Sequence, residues 1–327
     1  MAIQHTLPRS GSAQRTVPPA APTAPKPLKL HLLTAIVVGS MIGSGIFALP
    51  QNMAAGAGAG AVLLGWLITG AGMLALAFVY QALSLRQPAL NNGVYAYARA
   101  SGGEYVGFNS AWGYWVSAWI GNVGYLVIVF STLGNFFPVF GEGNTTAAIV
   151  GASILLWVMH ALILRGIHGA AVLNALITFA KIVPLLVFLA LALMAFRLDT
   201  FNTDFWGSPT LGSVLDQVKS TMLVTVWVFI GIEGANVCSA RAQNRADVGR
   251  ATLLGFGITL LLLMGVSLLS LGILPQVELA GLKNPSMAAL LEKIAGPWGG
   301  AFISIGLLIS VVAVSLKKKS CGTETRH

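Results

Sequence analysis

An all-α membrane fold, in which several helices cross the bilayer and two of them break at mid-depth, is what three features of this sequence predict. Of its 327 residues 56% are hydrophobic and only 9% charged, with a mean hydropathy of +0.79, which excludes a soluble globule of this size. Apolar runs long enough to span about 30 Å of hydrocarbon recur from residue 32 to residue 316. Two of these runs are interrupted near their centres by glycines, first at Gly39-Ser40-Met41-Ile42-Gly43-Ser44-Gly45-Ile46-Phe47 and again around Gly231 and Gly234. Glycine weakens a continuous helix and leaves backbone groups uncovered. In hydrocarbon such a break survives only where it is buried in protein or lines a cavity.

The formal net charge of +9 does not point to nucleic acid, because the basic residues form no single patch. They sort by alternate connections instead. Arg9, Arg15, Lys26, Lys29, Arg86, Arg99, Arg165, Arg241, Arg245, Arg250, Lys317, Lys318, Lys319 and Arg326 fall on one side, and Arg197, Lys219, Lys283 and Lys293 on the other. The positive-inside rule then places the N-terminus in the cytoplasm. Cys238 and Cys321 are too far apart in sequence to read as a metal pair or a disulfide framework.

In chain order, residues 1–29 hold six of the fourteen prolines and no apolar block, which predicts a disordered cytoplasmic tail without a signal peptide. The first span runs from about Leu32 to Met53, followed by an uncharged outer loop, Ala54 to Gly60, and a second span from about Ala61 to Leu83. Arg86 to Glu104 is a cytoplasmic connection expected to hold a short interfacial helix. The third span, about Val106 to Phe136, carries Asn109, Trp112, Tyr114, Trp115, Trp119, Asn122 and Tyr125, a set that faces protein or water in preference to lipid. The fourth span covers about Thr146 to Leu164. The fifth, about Ala170 to Phe196, has Lys181 and Pro184 in its interior, and the polar segment Arg197 to Ser213 follows outside.

The sixth span, about Val218 to Ala240, contains Trp227-Val-Phe-Ile-Gly-Ile-Glu-Gly-Ala-Asn236, so glycines bracket a carboxylate at mid-helix. A seventh span is expected over about Ala251 to Ile273, an outer amphipathic helix over Pro285 to Ile294, and a last span from Pro297 to Leu316, ending at Lys317-Lys-Lys. The broken first and sixth spans occupy corresponding places in two consecutive helix groups. That pairing points to an inverted five-plus-five helix repeat transporter fold, with repeats at 30–196 and 214–316. The second repeat is incomplete, which leaves about eight transmembrane helices.

Gly43-Ser44-Gly45-Ile46-Phe47, Trp119-Ile-Gly-Asn122 and Trp227-Val-Phe-Ile230-Gly-Ile-Glu233-Gly together resemble the amino acid–polyamine–organocation transporters. Leu49-Pro-Gln-Asn-Met53, Ser110-Ala-Trp-Gly-Tyr-Trp115, Asn284-Pro-Ser-Met287 and Gly296-Pro-Trp298 narrow the likeness to basic amino acid and polyamine antiporters, nearest to the bacterial arginine/ornithine group. The resemblance covers about residues 30 to 312. Members of that family have about twelve spans; from Val312 the sequence departs from their pattern, and 317–327 reads as an aberrant basic tail.

What the resemblance implies is a multi-pass protein of the bacterial cytoplasmic (inner) membrane that exchanges arginine for ornithine by alternating access. It is not an enzyme, has no cofactor, binds no nucleic acid and has a homodimer as a possible assembly. Other readings are proton-coupled amino acid uptake and an inactive fragment. The substrate carboxylate would lie on Ser44 and Gly45, which open the half-helix after the break and so stand at its positive end, with Ile42 and Gly43 beside them in the substrate-binding stretch and the α-amino group on the carbonyl of Met41. Trp227 would close over the substrate, and the carbonyls of Trp227 and Ile230 would receive ammonium. Tyr114 and Asn122 match pocket-lining positions, and Tyr125 occupies one where the related arginine/agmatine exchangers have methionine.

Each residue also has a plainer explanation. Small residues pack helices closely, and membrane asparagines hydrogen-bond between helices. Tryptophan fills interfaces, although Trp227 lies about eleven residues inside its span. Glu233 is the carboxylate, of the ten in the chain, that falls within a span; it reads as a gating or coupling acid, or as a protonated group bonded to nearby backbone. Lys181 reads as a fixed charge where sodium-coupled relatives hold an ion, as a proton carrier, or as a structural ammonium bonded to carbonyls. His31 and His160 have no partners at metal-ligand spacing and read as structural.

Overall fold

A computed structural model describes residues 28–87, 90, 93–164, 170–237 and 242–317. The predicted tail up to residue 27 and the basic end from residue 318 lie outside the described residues. The first run is broken where its glycines are. Helix α1, Leu30–Met41, stops before Gly43, a 3-10 turn spans Ser44–Ala48, and α2 continues over Leu49–Ala54. The two halves are bent by 49°.

Helix α3 spans Ala59–Arg86 and α4 spans Gly93–Gly134. Non-helical angles at Gly103 divide α4, so 93–102 is the short helix expected before the third span. Then come α5, Thr146–Leu164, and α6, Ala170–Ala195, with Pro184 inside it. The connection after α6 holds α7, Leu198–Thr203, and a 3-10 turn at Pro209–Leu211.

The sixth run is broken as well. Helix α8, Val214–Val228, gives way to turns over 229–233 before α9, Gly234–Val237. Helices α10, Arg245–Leu271, α11, Gln276–Ala280, α12, Ser286–Ala295, and α13, Pro297–Lys317, complete the order. Among the described residues there is no named strand, and α3, the stretch Val94–Gly134 and α10 are each long and apolar enough to cross a membrane, as is the bent pair α1–α2 taken together. Shorter apolar helical stretches cover Thr146–Ala161, Lys181–Ala195 and Pro297–Val311. The chain is an all-α, multi-pass membrane protein.

Lipid is as apolar as leucine, so close packing and interhelical hydrogen bonds, not water exclusion, must hold these helices together. They are concentrated where α3, α8 and α10 meet. Trp66 of α3 is fully buried, donates its indole N–H to Ser267 Oγ of α10 at 2.8 Å, and meets Phe229 edge-on at 6.0 Å. Phe229 in turn packs on Phe256 of α10, and Thr69 of α3 bonds Thr225 of α8 at 2.7 Å. The sixth-run break is thereby anchored on its α3–α10 side.

Helix ends leave orphan carbonyls and amides that hydrocarbon cannot satisfy, and here other segments supply the partners. Gln217 of α8 accepts from the Gly58 amide and donates to the carbonyl of Trp206. Gln276 of α11 donates to the carbonyl of Ala54 at the end of α2. At the opposite end, Leu28, just before α1, pairs with Ala242 in an isolated parallel bridge, and its carbonyl accepts from the Gln243 amide at 2.9 Å.

Candidate functional site

The two breaks touch each other. A Cβ placed on Gly231 would lie 2.7 Å from the carbonyl oxygen of Ser40 and 3.1 Å from the nitrogen of Met41. Gly231 has φ +111°, a conformation that side-chain-bearing residues avoid, so glycine alone allows both the turn and this backbone-to-backbone crossing. Glu233 holds the turn from within: it is 8% exposed, and its Oε2 accepts from the Gly231 amide at 3.1 Å.

On the α1 side, the chain leaves the helix at Ile42 and Gly43. The Gly43 amide folds back to the carbonyl of Met41, and among the described residues the amides of Ser44 and Gly45 donate to no backbone carbonyl outside the 3-10 turn. The carbonyls freed on the other face are claimed by Lys181 of α6. Its ammonium donates to the carbonyl of Ile42 at 3.0 Å and to that of Gly39 at 3.4 Å, with the side chain 4% exposed. A buried ammonium on carbonyls at a helix break supplies the positive charge a bound cation would. Fixed charge, proton carrier and structural ammonium are all compatible with these two carbonyl bonds of Lys181.

Trp227 stands at the end of α8 over the other face of the break, where a Cβ on Gly45 would come within 2.5 Å of two of its ring carbons. Tyr125 of α4 lies against the neighbouring residue, a Cβ on Gly43 falling 2.7 Å from its hydroxyl. Tyr114 lies on the same face of α4, eleven residues earlier, roughly 16 Å along the axis. Its hydroxyl interacts with the Glu233 carboxyl. Helix α4 therefore lines both breaks, the first through Tyr125 and the second through Tyr114.

Ser44 is 3% exposed and its hydroxyl has no hydrogen-bond partner; Met41 and Ile42 are buried beside it. Asn122 is partly buried, one turn before Tyr125, while Trp227, Ile230 and Tyr114 are 37%, 50% and 51% exposed. The structure therefore gathers Met41 to Gly45, Tyr125, Trp227 and Lys181 around the first break, with Glu233 and Tyr114 at the second.

Two residues escaped the sequence reading. Tyr80 of α3 is buried close enough to Glu233 to feel its charge, and Asn236, three residues beyond Glu233, is fully buried with neither amide atom paired. Tyr80 is a polar tip within an apolar run, and Asn236 closes the sixth-span motif that begins at Trp227. His160 lies on the exposed flank of α5 against Trp157, and among the described residues no three His, Cys, Asp or Glu side chains are grouped to hold a metal.

A family model described as amino acid permease matches residues 28–317. The chain is 61% identical over 291 residues to an arginine/ornithine antiporter of Pseudomonas aeruginosa, covering 88% of this chain and 60% of that protein. It is 53% identical to a putative arginine/ornithine antiporter of Escherichia coli K12, covering 89% and 64%, and 50% identical to an arginine/agmatine antiporter of Chlamydia caviae, covering 86% and 59%. The chain spans about three-fifths of the length of these curated relatives.

Proposed function

From the premise that this chain belongs to the amino acid permease family, we propose that it exchanges cationic amino acids across the membrane, arginine for ornithine, by alternating access. The observation that carries the proposal is the first helix break, where the Ser44 and Gly45 amides donate to no backbone carbonyl outside the 3-10 turn while Lys181 occupies the carbonyls of Gly39 and Ile42. Free amides at a half-helix start suit a carboxylate, and the indole of Trp227 beside them suits a cation. The likeness to arginine/ornithine and arginine/agmatine antiporters supports the same substrate class.

In this reading the carboxylate lies on Ser44 and Gly45 and the α-ammonium on the carbonyls of Met41, Trp227 and Ile230. The cationic tail runs toward Trp227, Asn122 and Tyr125. Glu233, with Tyr114, closes the path on the second break. Arginine and ornithine carry equal charge, so one-for-one exchange moves no net charge and needs no ion gradient. Opening alternates as α1–α2 and α8–α9 rock against α4 and its neighbours. The N-terminus faces the cytoplasm, as the basic connections require, with helical repeats at 30–196 and 214–316.

The test is uptake of labelled arginine into proteoliposomes carrying this chain. Ornithine loaded inside should drive uptake that ceases in empty vesicles and ignores an imposed pH gradient. Uptake that needs no internal ornithine and collapses with the pH gradient would replace exchange by proton coupling.

A further inference from the structure

At the second break one side chain has its hydrogen-bonding capacity wholly unmet. Among the described residues, Asn236 is fully buried and both polar atoms of its amide, Nδ2 and Oδ1, lack a partner. Gln276 and Asn284 also bury an unpaired amide oxygen, but each donates through its nitrogen, to the Ala54 carbonyl and to Gln51 Oε1. A buried serine or threonine can turn its hydroxyl onto the carbonyl four residues back, as Thr252 does onto Val248. Asn236 has no helical carbonyl there, because residues 229–233 form turns.

The groups around it are engaged. Asn236 follows Glu233 by three residues, and its backbone N–H donates to the Glu233 carbonyl at 2.8 Å. Glu233 takes the Gly231 amide and interacts with Tyr114, and Thr225 pairs with Thr69. Helix α9 packs on α1, α4 and α10, with Gly234 against Ser40, where a Cβ would fall 3.0 Å from the serine Oγ. This packing encloses an amide with two N–H donors and one carbonyl acceptor, each unfavourable when buried unpaired. Parting α9 from α1 and α4 lets water reach all three.

We infer that Asn236 is a built-in opener of the second break: its unmet amide disfavours the closed packing around α9, and hydration on opening relieves it. With the N-terminus inside, the sixth span runs inward, so Asn236 lies about one turn to the cytoplasmic side of Glu233. The inference rests on the alternating-access reading above and says which residue weakens the closed inner end.

The test is the reactivity of a buried thiol in the full chain. Ala235 is fully buried, so Ala235→Cys, made with Cys238→Ser and Cys321→Ser, should react with N-ethylmaleimide in proteoliposomes only when α9 parts from its neighbours. Asn236→Leu, similar in size and without hydrogen-bonding groups, should slow that reaction by about tenfold or more, the equivalent of one buried unpaired group. In the otherwise unchanged chain it should raise the Tm and slow ornithine-driven arginine uptake. Asn236→Asp, which keeps the shape and unpaired acceptors, should react at least as fast as the parent. A Tm that falls or stays the same in Asn236→Leu, or labelling that does not slow, would overturn the inference, since an amide paired in the closed state is lost at the expense of that state. Labelling needs no substrate. The expected order in vesicles that show no ornithine-driven uptake would leave the opener standing and remove the exchange reading.

Discussion

Replacing Gly231 by alanine tests the backbone crossing on which the site depends. At φ +111° an alanine is strained by about 1–3 kcal/mol. Its Cβ would lie 2.7 Å from the oxygen and 2.8 Å from the carbon of the Ser40 carbonyl, where van der Waals contact needs about 3.5 Å. Those atoms are backbone, so no rotamer change relieves the clash. Helix α1 must retreat by roughly half an ångström or more, and forced repacking of this kind costs about 1–3 kcal/mol further. The 3.1 Å bond from the Gly231 amide to Glu233 would be disturbed too, worth about another 1 kcal/mol. The terms overlap, and a loss of at least about 3 kcal/mol is expected. In detergent the Tm should fall by at least about 5 °C, and ornithine-driven arginine uptake should drop to background. Gly257→Ala in α10, where a Cβ meets no atom within 4 Å, is the control and should hold or raise the Tm. A Gly231→Ala protein with wild-type Tm and uptake would refute the crossing.

Three further outcomes follow from the same geometry. Lys181→Met strips the ammonium from the carbonyls of Ile42 and Gly39, so a fall in Tm and loss of exchange are expected; retained flux would show that those carbonyls need no cation. Trp227→Leu and Glu233→Gln should each abolish exchange while the protein still inserts, read by flux against membrane yield, and normal flux in both would defeat the pocket assignment. Ser267→Ala leaves the buried Trp66 N–H unpaired, which should cost about 1–2 kcal/mol, read as a fall in Tm; an unchanged Tm would show that the bond does not brace α3 against α10.

Much of this architecture was legible because membrane helices announce themselves by composition and because glycines mark where they break. The fourth run, Thr146 to Leu164, has the bounds of α5, and both breaks fall where Gly43 to Gly45 and Gly231 to Gly234 placed them. What the sequence could not deliver was partnership. That Lys181 reaches the carbonyls of Gly39 and Ile42, or that Tyr80 comes up beside Glu233, depends on how helices rotate about their axes, and the near-uniform apolarity of α3 offers no stripe from which to read rotation.

The pairing of Leu28 with Ala242 and Gln243 carries a mechanical consequence. It couples the lead-in to α1 with the lead-in to α10, while α1 is also crossed near its far end by the second break at Ser40 and Gly231. Displacing the start of α1 must either snap that short ribbon or drag α10 along with it. Helices α1 and α10, already in extensive contact, would then travel as a single lever with its fulcrum at Ser40 and Gly231.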